Sequence, residues 1–186
     1  MDLNKLASSI DGSTGGSANL PPVEDWDPDY CGDIGLAVNR SGQWLTNDSP
    51  IGRAKLVKLF STIIKREGDR YFLVTPVEKI ALSVEDVPFI ITQWQRLDDG
   101  AIQVSTQTQD SFIISEKHPV ELRWDDDSST HIPYVNVRRN LWARVHQNVF
   151  YQWAEQADTV PVNDNEAQVQ MRSRDYTFSI GSVPAA

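Results

Sequence analysis

The most regular hydrophobic pattern of the chain lies between residues 47 and 69. Apolar residues recur there every three or four positions, which is the spacing of one buried helical face. Ser49 is a favourable N-cap, and Pro50 suits the first turn of a helix, where no backbone amide is needed. The pattern predicts a helix that begins at Ser49 and ends before Gly68, with these apolar residues on its buried face: Leu56, Val57, Phe60, Ile63 and Ile64.

Alternating apolar and polar positions predict strands on both sides of this helix. Residues 34–45 indicate a hairpin that turns at Arg40-Ser41-Gly42. Residues 71–75, 79–84 and 89–94 indicate three strands in succession, which are expected to form a meander. The first half of the chain is therefore predicted to be an α+β unit.

The second half shows the same mixture of patterns. Further strands are indicated at 102–106, 112–114, 120–124, 134–137 and 176–180, a helix at about 145–156 and a polar loop at 158–170. Both halves contain a strand, an arginine-containing turn, a tryptophan-bearing strand and an amphipathic helix, and both duplication and chance similarity explain this echo. We expect an α+β protein of two small domains, with a flexible N-terminal tail at 1–22, an N-terminal domain at 23–97 and a C-terminal domain at 98–186.

Charge and composition narrow the classes of ligand. The chain has 26 acidic and 17 basic residues among 186, for a net charge of -9. That balance argues against a nucleic-acid polymer or an anionic membrane as a partner, because both require a basic surface. A small anionic ligand held by a few local cations is still compatible with it.

The cysteine and histidine content excludes some kinds of site. Cys31 is the only cysteine, so neither an intrachain disulfide nor a thiolate zinc cluster can form within one chain. The three histidines are widely scattered, and no cofactor or metal is predicted from them. Five carboxylates between residues 24 and 33 suit either a hard-metal site or, as the more common case, a solvated acidic arm. Without a signal-like or membrane-spanning segment, the expected location is the cytoplasm.

Three groups of residues could carry chemistry. At the predicted helix start, Arg53 could close on a phosphate beside free backbone amides, or it could simply pair with a nearby carboxylate. Glu78 and Lys79, between two strands, could be a general base or a ligand contact, or a surface ion pair. In the third group, arginines are interleaved with aromatic residues: Arg138, Arg139, Arg144, Tyr134, Trp142 and Tyr151. Such a group could bind a nucleotide through stacking and phosphate contacts. Alternatively, the aromatic residues could form a second core while the arginines face solvent.

Several sequence blocks resemble a bacterial family known as domain of unknown function 1285. In the first half the matching blocks are Cys31-Gly32, Gly42-Gln43-Trp44, Ser49-Pro50-Ile51-Gly52-Arg53, Tyr71-Phe72-Leu73-Val74-Thr75-Pro76-Val77-Glu78-Lys79 and Glu85-Asp86-Val87-Pro88-Phe89. In the second half they are Tyr134-Val135-Asn136-Val137-Arg138, Leu141, Ala143 and Phe150-Tyr151. The resemblance covers about residues 22–155.

The resemblance implies a fold and a kind of site, but no reaction. It implies two α+β domains built from a duplicated hairpin–helix–strand motif, the second vaguely similar to pleckstrin-homology folds. It also implies an interdomain cleft that suits a nucleotide-like ligand, and a role in bacterial signal transduction. The residues predicted to line that cleft are Trp44, Arg53, Thr75, Glu78, Lys79, Tyr134 and Arg138.

Three functions follow from these observations. The first is a non-enzymatic, ligand-binding or sensory protein with a nucleotide-like small molecule as its ligand. The second is a hydrolase with Glu78 as general base. The third is a protein-interaction module, with a signalling protein as partner, that uses exposed strand edges or a lysine face formed by Lys55, Lys58 and Lys65.

Overall fold

Two six-stranded sheets and one three-stranded sheet make up most of the protein. The computed structural model describes residues 3–11 and 20–185, and the chain divides into two units, Met1–Asp86 and Val87–Ala186. Only three α-helices occur in the described residues: α1 (Leu3–Asp11), α2 (Ala54–Ser61) and α3 (Gln147–Gln156). The protein therefore belongs to the α+β class with a strong excess of strands.

The first unit contains one mixed sheet. In spatial order its strands are β3 (Ser49–Pro50), β2 (Trp44–Thr46), β1 (Tyr30–Val38), β6 (Lys79–Val84), β5 (Arg70–Val74) and β4 (Ile64–Glu67). Neighbouring strands are antiparallel except for β1 and β6, the central pair, which run parallel. The sheet thus joins two three-stranded meanders at one parallel pair.

The second unit repeats this strand order. Its main sheet has the order β9 (Ser111–Ile113), β8 (Ile102–Thr106), β7 (Phe89–Arg96), β12 (Leu141–Val145), β11 (Thr130–Arg138) and β10 (Val120–Asp125). The central pair, β7 and β12, is again parallel, and the remaining pairs are antiparallel. In both sheets the first strand of one meander lies beside the last strand of the next. The helix position differs, because α2 lies between the two meanders and α3 follows the second one.

A third sheet completes the second unit. It is an antiparallel meander of β13 (Asp158–Asn163), β14 (Glu166–Ser173) and β15 (Tyr176–Pro184). The prediction of a polar loop at 158–170 is therefore wrong. All six residues of β13 are exposed, so the strand has no buried face and its sequence shows no alternation of apolar and polar residues. Its backbone pairing with β14 is what makes it a strand.

Each unit has its own hydrophobic core. In the first, α2 packs on the sheet face that carries Trp44, and Phe60 lies 6.2 Å from the Trp44 ring between centroids. In the second, α3 contacts β7, β14 and β15, and the fully buried Trp153 lies 5.6 Å from the Phe178 ring. Aromatic residues buried in this way supply a large share of the hydrophobic free energy of folding.

The central helix is shorter than predicted at both ends. Ser49 and Pro50 form β3, which pairs with β2, and Arg53 occupies the N-cap position with an extended backbone and no capping bond from its side chain. The helix ends at Ser61, and Ile64 and Lys65 already belong to β4. Pairing between β2 and β3 overrides the local capping signals, and Gly68 serves the β4–β5 turn with a φ of +59°.

The division between the units falls earlier than residue 97. The strand β7 was expected to complete a meander with β5 and β6, but it pairs with β8 and β12 in the second sheet. Local alternation of apolar and polar residues identifies a strand but does not show which strand it pairs with. This is why the partner of β7 was predicted wrongly. The Asp98-Asp99-Gly100 turn lies inside the second unit and connects β7 to β8.

The N-terminal segment is partly structured. Within the tail predicted at 1–22, residues 3–11 form α1, in which Leu6 is 0% and Ile10 1% exposed. α1 contacts α2, so this part of the predicted tail is a packed helix. The glycine-rich part of the predicted tail, residues 12–19, lies outside the described residues.

Candidate functional site

The five predicted site residues of the first unit form two groups along the first sheet. Trp44 lies opposite Val38, which in turn lies opposite Val84 at the end of β6. Lys79 lies opposite Tyr30 at the start of β6. The six residues of β6 span about 16 Å at the usual rise per residue. Trp44 is therefore separated from Lys79 by most of the sheet.

Trp44 and Arg53 belong to the helix side of the sheet. Trp44 is 2% exposed, and its indole N–H is buried without a hydrogen-bond partner among the described residues. Arg53 is exposed, and its Nη1 donates a hydrogen bond to Asn4 Oδ1 in α1 at 2.9 Å. Arg53 thus holds α1 to the start of α2, and Trp44 contributes to the core.

Thr75 and Glu78 close a tight turn between β5 and β6. The Thr75 hydroxyl accepts a hydrogen bond from the Glu78 amide at 3.0 Å, and the Thr75 amide donates to the Glu78 carbonyl at 2.8 Å. These bonds engage the buried Thr75 in stabilising the turn. Glu78 is half-buried, and Oε2 of its carboxylate is buried without a partner in the part of the chain that the structure describes.

Lys79 belongs to a group of charged residues on the opposite face from α2. Its Nζ donates a hydrogen bond to Glu67 Oε2 at 2.6 Å, and Lys65 Nζ lies 3.6 Å from Glu67 Oε1. Lys65 is itself 9% exposed and donates to the Trp26 carbonyl at 2.9 Å. The lysine face predicted from Lys55, Lys58 and Lys65 does not form, because Lys65 lies on a strand.

The Glu67 carboxylate is stabilised in its ionised form. The hydrogen bond from Lys79, together with the charges of Lys79 and Lys65, lowers the pKa of Glu67, although partial burial opposes the shift. One carboxylate therefore serves two ammonium groups, and this pair of lysines retains an excess of positive charge.

Aromatic rings and a further cation complete this group. The Arg70 guanidinium lies 5.1 Å from the Phe72 ring centroid and 5.8 Å from that of Tyr30. Lys79 Nζ lies 4.6 Å from the same Phe72 centroid, and the two rings meet edge to face at 6.1 Å. Phe72 is 4% and Tyr30 52% exposed, so only Tyr30 offers an open ring surface.

We call Lys65, Arg70 and Lys79, with Glu67, the cationic cluster. Strand register explains why they meet: Lys65 lies opposite Phe72, Glu67 opposite Arg70, and Lys79 opposite Val74. Side chains on β4, β5 and β6 at these positions point to one face of the sheet. With three cations and one carboxylate, the cluster is locally positive in a chain of net charge -9.

In the second unit, Tyr134 and Arg138 point to opposite faces of β11. Tyr134 lies opposite Arg144, whereas Arg138 lies opposite Leu141, with a register shift between Asn136 and Arg138. Such a bulge adds one residue and reverses the direction of the side chains that follow it. The two residues are therefore not brought together by their strand.

Arg138 is engaged in a largely buried ion pair. Its Nη1 lies 2.8 Å from Asp110 Oδ1, with side-chain exposures of 11% and 12%, and its guanidinium lies 5.0 Å from the Phe89 ring centroid. The hydroxyl groups of Thr106 and Thr108 donate to Asp110 Oδ2 at 3.1 and 2.7 Å. This network joins β7, β11 and the β8–β9 turn.

Tyr134 has an arginine neighbour that the sequence did not indicate. The Arg123 guanidinium lies 4.5 Å from the Tyr134 centroid and 4.9 Å from that of Trp142. Arg144 is on the Tyr134 face as well and lies 3.7 Å from Asp125 Oδ1. Arginine among aromatics was the expected pattern, but strand pairing brings in Arg123 from β10, and no local signal pointed to it.

The described residues hold no group suited to a metal ion. Within 3–11 and 20–185, no three histidine, cysteine, aspartate or glutamate side chains lie close enough together to ligate one. None of the described helices has the length and hydrophobicity that a bilayer-spanning helix requires. That the seven predicted residues share one ligand stays a prediction.

The protein thus combines two mixed-sheet units with a positively charged group on the sheet of the first unit. Two family models match this chain: "Domain of unknown function (DUF1285), N-terminal domain" at residues 21–87 and "Protein of unknown function (DUF1285), C-terminal domain" at residues 88–180. The chain belongs to the DUF1285 family, as the sequence blocks had indicated.

Solved structures support the same assignment. A DUF1285 family protein from Silicibacter pomeroyi DSS-3 is 31% identical, with a TM-score of 0.84 over 98% of this chain and 96% of that chain. A DUF1285 family protein from Shewanella baltica OS155 is 28% identical, with a TM-score of 0.53 over 67% of this chain and 94% of that chain. A comparison with curated proteins returned no match.

Proposed function

We propose that this protein binds a nucleotide-like anion, and that the cationic cluster of the first sheet holds its phosphate. The observation that carries the proposal is Arg70, a guanidinium placed on Phe72 and Tyr30 without a carboxylate partner in the described part of the chain. Guanidinium groups bind phosphate through two parallel hydrogen bonds. A cation that is oriented by rings instead of by an acid keeps its charge available for a ligand.

Lys79 is placed to assist Arg70. Both cations lie beside the same Phe72 ring, at 4.6 and 5.1 Å from its centroid. Glu67, the partner of Lys79, has a side chain that is 37% exposed and can turn towards solvent when an anion replaces it. Phosphate binding would then exchange one ion pair for another, at little cost in desolvation.

Tyr30 supplies the surface for the rest of the ligand. It is 52% exposed and lies beside Arg70, so a planar base can stack on its ring while the phosphate reaches the cations. This division of roles favours a nucleotide over a simple anion. A sensory role in signal transduction and a cytoplasmic location are parts of the same proposal.

Isothermal titration of the whole protein with AMP, cyclic AMP and adenosine tests this function. AMP should bind more tightly than adenosine, and Arg70→Gln and Lys79→Gln should each weaken AMP binding about 10- to 100-fold. Arg66→Gln is the matched control, because Arg66 is on the same strand as Lys65 but on the other face, beside Tyr71. Equal affinity of the Arg70 and Arg66 variants would refute the assignment.

Hydrolysis with Glu78 as general base is the second candidate. Its buried, unpartnered carboxylate oxygen is the feature that favours it, since a base must have an oxygen free to accept a proton. Phosphate release from the same nucleotides, measured with the wild type and with Glu78→Gln, tests the reaction. Turnover that survives the substitution would rule out Glu78.

We also propose that the two units arose by duplication. Their main sheets share one strand order and one central parallel pair, which is a closer correspondence than the sequence echo. That echo lay between residues 34–64 and 132–153 and so aligned the β1–β2 hairpin with the β11–β12 hairpin, whereas strand order aligns β1 with β7. We further propose a pleckstrin-homology-like second domain and a signalling protein as partner. A pull-down from lysate with the wild-type protein tests the partner.

A further inference from the structure

Two hairpin turns of the second unit meet at an open depression of about 530 Å³. One turn connects β7 to β8 and the other connects β14 to β15, and the Arg174 amide donates a hydrogen bond to the Gly100 carbonyl between them at 3.2 Å. We call this feature the arginine depression. It is lined by Arg96, Asp99, Gly100, Arg172, Arg174 and Asp175.

Two of the three arginines are oriented by carbonyl oxygens. Arg96 Nη1 donates to the Arg172 carbonyl at 2.9 Å, and Arg172 Nε donates to the Arg174 carbonyl at 2.6 Å. A neutral carbonyl fixes the direction of a guanidinium without cancelling its charge, and each guanidinium has five N–H donors. Arg96 and Arg172 therefore retain both charge and donors.

The carboxylates of the depression compensate only part of this charge. Arg174 Nε and Nη2 both donate to Asp99 Oδ2, but the two side chains are 54% and 51% exposed, so this pair is open to solvent. Asp175 lies 3.6 Å from Arg172, but its side chain is fully exposed and that of Arg172 is 68% exposed, so solvent screens the attraction. With three arginines and two aspartates, the lining has a net positive charge.

We propose that the arginine depression binds a phosphate group, with Arg96 and Arg172 as its ligands and the Arg174–Asp99 pair beside them. Phosphate suits the site because several oriented guanidinium groups match its oxygens and its double charge. The site is distinct from the cationic cluster, which is on the first unit. The same chemistry serves free phosphate and a phosphorylated side chain, and the experiment separates the two.

Titration of the isotope-labelled protein with inorganic phosphate, followed by amide NMR shifts, tests the site. The Gly100 and Arg174 amides should shift with saturation, and Arg172→Gln should weaken binding at least 10-fold. Asp175→Asn should strengthen it, because it removes the exposed carboxylate that lies beside Arg172. Arg70→Gln should have no effect on these two amides, which separates this site from the cationic cluster.

Lys117→Gln is the matched control, since Lys117 is an exposed cation of the second unit outside the depression. Equal weakening by Lys117→Gln and Arg172→Gln would show general charge attraction and overturn the proposal. Shifts that are absent at Gly100 and Arg174 would also overturn it. A phosphoserine peptide that binds tighter than inorganic phosphate would identify a protein source, and the reverse order would identify a free one; both outcomes support the site.

Discussion

Arg138 and Asp110 form an ion pair at 2.8 Å, although Arg138 is on β11 and Asp110 is in the β8–β9 turn, 28 residues earlier in the chain. Both side chains are nearly buried, and the threonines that donate to Asp110 keep the carboxylate in place. Arg138 was predicted to contact a ligand. In the structure, Arg138 instead links β11 to the β8–β9 turn and to Phe89 of β7.

We expect Arg138→Met to destabilise the protein by about 3–5 kcal/mol, because it leaves the Asp110 charge buried without its partner. Asp110→Asn should also destabilise it. The double variant should recover part of the loss, giving a coupling energy of about 0.5–3 kcal/mol in a double-mutant cycle measured by urea unfolding. Additive effects would contradict a direct interaction.

The pH dependence of stability should report on Glu67. Its pKa is lowered in the folded protein from the usual 4.5, chiefly by the hydrogen bond from Lys79. The unfolded chain therefore binds more protons in this range, so the contribution of Glu67 is complete above pH 4.5 and is lost as the pH falls through the folded pKa. Urea unfolding of the wild type and of Glu67→Gln should differ most at neutral pH and converge in acid. A constant difference would contradict this assignment.

Gly35 should tolerate no side chain. It has a φ of +76°, and a Cβ at this position would overlap the side-chain oxygen of Asn47. Gly35→Ala should therefore destabilise the protein by about 1–3 kcal/mol in thermal or urea unfolding.

Substitutions at two other glycines separate the cost of backbone strain from the cost of steric overlap by the added Cβ. Gly32 has a φ of +108° with no atom within 4 Å of the added Cβ, so Gly32→Ala should show the cost of backbone strain alone. Gly52 has neither feature, and Gly52→Ala should be nearly neutral. A loss for Gly52→Ala as large as that for Gly35→Ala would contradict the explanation.

The indole N–H of Trp44 should contribute little to stability. Trp44→Phe removes a buried donor that has no partner in the described residues and keeps most of the packing against Phe60, so it should cost far less than the roughly 3–5 kcal/mol expected for Trp44→Ala. Urea unfolding measures both. If Trp44→Phe costs as much as Trp44→Ala, the N–H has a partner in solution.

Strand positions were predicted better than strand partners. The residues of β6 and β8 and most of those of β1, β5 and β10 followed from alternation. The partner of β7 did not, because the same apolar residues fit either sheet. The start of α2 was misplaced for a related reason: Ser49 and Pro50 suit a helix start locally, and only their pairing with β2 makes them a strand.

The site residues show the same limit. Glu78 and Lys79 were recognised from their place between two strands, and Lys79 does join a charged group. Its neighbours Lys65 and Arg70 were missed as site residues, because they come from β4 and β5 and meet Lys79 only through register. Arg138 was grouped with Tyr134 as an arginine among aromatic residues, and one bulge places the two on opposite faces.

The sequence by itself determined the family, the α+β class, most strand positions and the net negative charge, because these depend on composition, local periodicity and short blocks of residues. Tertiary structure alone decided the order of strands, the division after Asp86 and the cationic cluster around Phe72. Those features depend on hydrogen bonding between strands that are distant in the chain. The local pattern of side chains indicates which face of a strand is buried, but it does not indicate which strand lies beside it.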